Sequence, residues 1–131
     1  MSQYLKLEKY SFGIGDRFAH EAKAQLQACL RAANEGADVI PVWNKSNREH
    51  NLIGTEPMDV RREADAAVSA LGWTGGYFVD ADHIGLGTVD RFLDAADFFT
   101  LDVADYTGKK AAESDAALAA LSKLKGEGMP R

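Results

Sequence analysis

The sequence predicts an α/β fold made of parallel strand–helix repeats, and three observations predict it. Short apolar stretches alternate about four times with longer stretches whose apolar residues recur at helical spacing. A helix between successive strands forces a crossover, which leaves the strands parallel and the connections right-handed. Ionisable residues gather just after each apolar stretch, the end of a parallel sheet where ligands bind. Two closures satisfy this pattern, a doubly wound open sheet and a (β/α)8 barrel. The 131 residues form a single α/β segment, residues 1–131. They supply about four units, whereas a closed barrel takes eight strands and about 250 residues.

The first strand is expected over Tyr10 to Ile14, closed by Gly13 and Gly15. A helix from Asp16 to Glu35 follows, with Phe18, Ala22, Leu26, Cys29, Leu30 and Ala33 on one stripe. Asp16 is suited to cap its start and Gly36 to end it. The second strand, Asp38 to Trp43, is almost continuously apolar, as a strand covered on both faces should be. Pro41 inside it cannot donate to a ladder, which suggests a bulge there. Asn44 to Pro57 shows no clear period and reads as a long functional loop. A second helix follows over Met58 to Leu71, with Val60, Ala64, Ala67, Val68 and Leu71 inward. Tyr77 to Val79 is the third strand and Asp80 to Gly87 a polar loop. Thr88 is suited to cap a helix reaching Asp97, and Phe98 to Val103 is the fourth strand. A last helix is expected over Ala111 to Lys125, and Gly126 to Arg131 is a loose tail.

Composition narrows the function classes. Hydrophobic residues make up 46% and charged residues 27%, which a globular domain has and a disordered chain lacks. The net charge of −5 lacks the basic footprint of a nucleic-acid binder. No apolar run approaches the roughly 20 residues of a membrane span, and Met1 to Lys9 has no signal-peptide core. The single cysteine, Cys29, cannot form an intramolecular disulfide and lies on a helix stripe, where a buried, inert thiol is expected. A cytoplasmic setting is the simplest expectation.

The strand ends carry the chemistry. Phe78-Val79-Asp80-Ala81-Asp82-His83 closes an apolar strand with two acids and a histidine. Asp80 and Asp82, two apart, point the same way on extended chain, with His83 on the other side. Imidazole is a common ligand of catalytic divalent metals, and a neighbouring carboxylate can move a proton. A turn with solvated acids explains the same residues equally well. Asn44-Lys45-Ser46-Asn47-Arg48 places donors and two cations after a buried strand, which suits an anionic ligand or an ordinary exposed loop. Gly13-Ile14-Gly15-Asp16-Arg17 lacks the third glycine of a dinucleotide fingerprint, because Phe18 stands there. Arg17 reaches toward the rim, and His50 in the long loop is a further candidate ligand.

Several ordered strings together resemble one family. They are the Gly13–Arg17 segment with its flanks, Val42 to His50, Phe78 to His83, Thr88-Val89-Asp90-Arg91-Phe92, and Phe98 to Asp105. Over residues 8 to 109 the chain looks like the tagaturonate epimerases. The resemblance implies part of a TIM-type barrel related to class II aldolases. It implies C4 epimerisation between tagaturonate and fructuronate, by retro-aldol cleavage or proton transfer, with a divalent cation such as zinc, manganese or nickel. By resemblance Asp82 matches the catalytic acid/base and His83 a metal ligand. Lys45 would hold a substrate carboxylate or oxyanion, and Asn44, Arg17 and Asp80 would also bind the substrate, a small sugar acid. Alternatives are an aldolase acting on sugar acids or phosphates, and a non-catalytic half-barrel that associates through open sheet edges. The family's members are several times longer, so further metal ligands are expected outside this chain, which alone is expected to be inactive.

Overall fold

The computed structural model describes residues 6–104 and 107–108. Four strands, β1 (Ser11–Gly15), β2 (Ile40–Ser46), β3 (Phe78–Ile84) and β4 (Phe98–Leu101), form one parallel sheet in the order β1-β2-β3-β4. The helices are α1 (Ala22–Asn34), α2 (Asn47–Ile53) and α3 (Pro57–Leu71), with a short 3₁₀ turn at Val89–Phe92. This is the expected parallel α/β arrangement, consistent with part of a (β/α) barrel. None of the described helices is long and apolar enough to cross a membrane.

Parallel pairing puts residues in register on the same face of the sheet. Trp43 and Val79 are partners and face the helices, where they pack with Ala22, Leu26, Cys29, Val60 and Ala64. Cys29 is therefore buried, as its stripe predicts. Gly15, Asn44, Asp80 and Phe98 form the next row, and Ser46 pairs with Asp82 one step further along. These rows occupy the face opposite the helices. The sheet thus has a helix-packed side and an opposite side on which Asn44, Ser46, Asp80 and Asp82 follow the apolar Val42–Phe78 row, fixed by period-two alternation.

Several boundaries differ from expectation. The first helix begins at Ala22 rather than Asp16. The Asp16 carboxylate instead accepts hydrogen bonds from the backbone N–H of Phe18, His20 and Glu21, which organises a turn ahead of the helix. The Asn44–Pro57 loop is replaced by the end of β2 and by α2. The third strand continues through Asp80 and Asp82 to Ile84. The expected helix from Thr88 to Asp97 shrinks to the 3₁₀ turn, because Asp97 is drawn back to β3. Its N–H donates to Val79 O, and its carboxylate accepts from Val79 N and Arg61. The expected last helix and tail lie outside the described residues.

Pro41 sits inside β2 with no bulge. Ile40 N donates to Tyr10 O on the β1 side. The next residue faces the other neighbour, and pairing with β3 begins only at Val42 with Phe78, so the missing N–H of Pro41 has no partner to lose. The bulge falls in β3 instead. Ala81 pairs with Phe99 and Ile84 with Leu101, so β3 carries one extra residue. His83 takes it up in a left-handed conformation, φ 55°. Ile84 thereby returns to the helix side, packed with Ala81 and Phe92.

The outer strands β1 and β4 have open edges among the described residues. Phe12 on β1 and Leu101 on β4 are both largely exposed.

Candidate functional site

β1 contributes mostly absence. A side chain on Gly13 would meet the Asn44 amide, with a Cβ 3.2 Å from Nδ2, and one on Gly15 would lie 3.5 Å from Oδ1. Gly13 therefore leaves room for Asn44 to lie across β1, whereas a side chain at Gly15 would make only ordinary contact with it. Beside it, Asp80 is buried. Its carboxylate accepts from Thr100 N at 3.1 Å and from Thr100 Oγ1 at 2.7 Å, which ties β3 to β4. Burial holds the Asp80 carboxyl above the usual range, opposed by those bonds and reinforced by the nearby charge of Asp82.

Asp82 and His83 stand together at the end of β3, with Asp82 Oδ1 2.8 Å from His83 Nδ1. Extended chain would have separated them, so the bulge brings them into contact. The hydrogen bond to Asp82 raises the pKa of the exposed His83 imidazole. Replacing Asp82 with asparagine removes its main cause. An NMR titration of the His83 ring should then return toward the ordinary histidine value of about 6.5, and an unmoved titration would show that the pair is not formed in solution.

This pair opens onto a groove of about 420 Å³, lined also by Ser46, Arg48, Glu49, Thr88 and Asp102. Its far wall is α2, which begins in a capping box. Ser46 Oγ accepts from Glu49 N, and Glu49 Oε2 accepts from Ser46 N at 3.0 Å. The Ser46 backbone N–H holds the Glu49 carboxyl below the usual range, opposed by burial, and Arg17 adds an ion pair at 3.5 Å. Arg17 is thus at the rim, engaged with Glu49.

Lys45 is not at the rim. It stands between Asn44 and Ser46, so it points to the opposite face. There it is 2% exposed, with Nζ donating to Thr55 Oγ1 at 2.9 Å. Burial lowers its pKa. Lys45, expected to hold the substrate, does not line the groove beside Asp82 and His83, because strand alternation sends it into the helix layer. His50, a candidate ligand that no spacing demanded, is likewise buried on that side, with Nδ1 2.9 Å from Thr55 Oγ1.

Two features escaped the sequence reading. The Ser46-x-x-Glu49 spacing is a recognisable helix start, and it announces α2. Arg91 donates to Glu56 Oε2, Asn47 Oδ1, Asn51 Oδ1 and Thr55 O, and so clasps α2 from across the chain. The Asn47–Asn51 spacing of one helical turn matches such a clasp, but nothing local marks Arg91 as its donor.

A catalytic metal ion needs about three protein ligands. Among the described residues, no group of three or more histidine, cysteine, aspartate or glutamate side chains comes together to hold one. The described residues do not by themselves fit the expected cation.

Comparison with known proteins gives the family. A family model described as tagaturonate epimerase matches residues 2–127. Among solved structures, the native fructuronate-tagaturonate epimerase UxaE from Cohnella laeviribosi is similar, with 28% identity and a TM-score of 0.65. Crystals of the same enzyme with one and with two glycerol molecules give 29% and 26% identity, with TM-scores of 0.65 and 0.64. The match covers 93%, 92% and 93% of this chain for the native, one-glycerol and two-glycerol structures, and 24% of each of those chains, so this chain spans about a quarter of their length. No curated protein matches it. A family match across nearly all of the sequence, on the same parallel α/β frame, shows that the chain belongs to the tagaturonate epimerase family.

Proposed function

We propose that this chain supplies the acid–base part of a site that epimerises a ketohexuronate at C4, interconverting fructuronate and tagaturonate. The observation that supports it most is the Asp82–His83 pair at the C-terminal end of β3, facing a groove wide enough for a sugar acid. In the retro-aldol form, Asp82 takes the proton of the C4 hydroxyl. The C3–C4 bond then breaks to give an aldehyde at C4 and an enediolate ending at C3. The aldehyde turns over, the enediolate carbon adds to its other face, and the proton returns to the new C4 oxygen. His83 donates Nδ1–H to Asp82 and holds the carboxylate toward the groove. Asn44, on the same face, is placed to meet a sugar hydroxyl, whereas Asp80, expected to bind substrate, is buried with both oxygens on Thr100 and holds β3 to β4. Arg17 acts through Glu49 on the groove wall. The divalent cation implied by the resemblance would need at least two ligands from outside the described residues, beside His83.

The test is conversion of D-fructuronate to D-tagaturonate by the protein that carries this segment, followed in D₂O. Asp82→Asn should slow it about a hundred-fold or more. Retro-aldol chemistry leaves the C4 hydrogen in place, whereas direct proton transfer exchanges it for deuterium. Full-rate conversion by Asp82→Asn would remove Asp82 from the chemistry.

A further inference from the structure

The cations of this rim have unequal freedom. Arg17 is ion-paired to Glu49. Lys45 is buried on the helix side and bonded to Thr55. Arg91 spends its donors on Glu56, Asn47, Asn51 and Thr55. Arg61 is held by Asp97 and Asp65. Arg48 differs from all of them. It lines the groove together with Asp82, His83 and Asp102, is exposed, and has no carboxylate within ion-pair distance among the described residues.

The other ionisable groups of that groove are unsuited to an anion. Asp82, Asp102 and Glu49 carry the wrong sign to receive it, and the His83 imidazole is already matched by the Asp82 carboxylate at 2.8 Å. A planar guanidinium presents a fork of donors that matches a carboxylate, and it keeps its charge at every working pH. We infer that Arg48 is the specificity residue of this groove, receiving the substrate's carboxylate and so selecting sugar acids over neutral sugars. The inference rests on the sugar-acid reading above and sharpens it: the role expected of Lys45 passes three residues along the chain. It also sets an orientation, with the carboxylate end of the sugar toward α2 and its reacting hydroxyl toward β3.

Calorimetric or NMR titration of a protein that carries this segment tests it, with D-fructuronate and D-fructose as probes. These differ in having a carboxylate or a hydroxymethyl group at one end. The wild type should bind fructuronate more tightly than fructose. Arg48→Ala should weaken fructuronate binding about ten- to a hundred-fold while leaving fructose unchanged, and Arg48→Lys should recover only part of the loss. Arg62→Ala, an exposed arginine on α3 paired only with Asp59, is the control and should change neither. Because Arg48 is exposed, circular dichroism should show the variant folded. If the wild type prefers fructuronate and Arg48→Ala keeps that preference, the inference falls and the sugar-acid reading stands. If the wild type binds neither sugar, or both alike, both fall.

Discussion

Trp43→Ala should destabilise the fold by about 3–5 kcal/mol, the range for emptying the site of a large buried aromatic residue. Trp43 is 2% exposed at the centre of the helix-side core, against Leu26, Cys29, Ala64 and Val79. Its ring meets Tyr77 edge-on at 6.2 Å. Its indole N–H donates to Gln25 Oε1 at 2.9 Å, and Gln25 Nε2 in turn donates to Gly15 O. One side chain thus fills the space between β2 and two helices, and it also ends a chain of bonds running through α1 to β1. Alanine leaves both a cavity and an unpaired amide oxygen. Trp43→Phe keeps most of the volume and loses only the bond, so it should cost about 1–2 kcal/mol. Urea unfolding measures both. A Trp43→Ala chain that unfolds at the wild-type midpoint would contradict this packing.

Acid should unlock the helix layer through His50. The ring is 1% exposed and packs edge-on against Phe92. Lys45 Nζ donates a hydrogen bond to Thr55 Oγ1, which also lies 2.9 Å from His50 Nδ1. Burial lowers the His50 pKa to about 4, helped by the charges of Lys45 and Arg91 and opposed by Glu56 and Asp59. The unfolded chain, with an ordinary value near 6.5, binds more protons between those two values. The stability tied to neutral His50 is therefore complete above about pH 6.5 and is lost as pH falls toward 4, by about 3 kcal/mol in all.

Other groups titrate over part of the same range. The raised pKa of Asp80 favours the fold on acidification, whereas the lowered pKa of Glu49 works with His50. The His50→Gln variant separates them. Glutamine keeps an acceptor for Thr55 but cannot titrate, so its stability should fall less between pH 7 and pH 4.5. Equal losses in the two proteins would contradict the assignment.

The element order and the ends bearing chemistry were legible because alternating apolar stretches report burial directly. Asp82 and His83 were legible as a pair of residue types, and the resemblance gave them roles. Their contact was not, because it depends on a bulge in the pairing of β3 with β4, which are separated in sequence. Strand lengths were underestimated wherever a charged residue is buried by a distant partner. Asp80 belongs to β3 because Thr100 satisfies it, and Lys45 belongs to β2 because Thr55 does. Neither partner is adjacent in sequence. The side to which Lys45 points was in principle readable, since it follows Asn44 by one residue and strand parity is strict. α2 is seven residues long and buries only His50, too little for hydrophobic period to reveal it; its cap was the better signal.

The strand order β1-β2-β3-β4 bears on how the chain is made. Every strand pairs with the one synthesised just before it, so none has to wait for a distant segment. Contacts of short sequence separation form fastest, and a nascent chain emerges N-terminus first. The sheet can therefore grow one strand at a time as the polypeptide leaves the ribosome, with α1 and α3 free to close over Trp43 before β4 emerges.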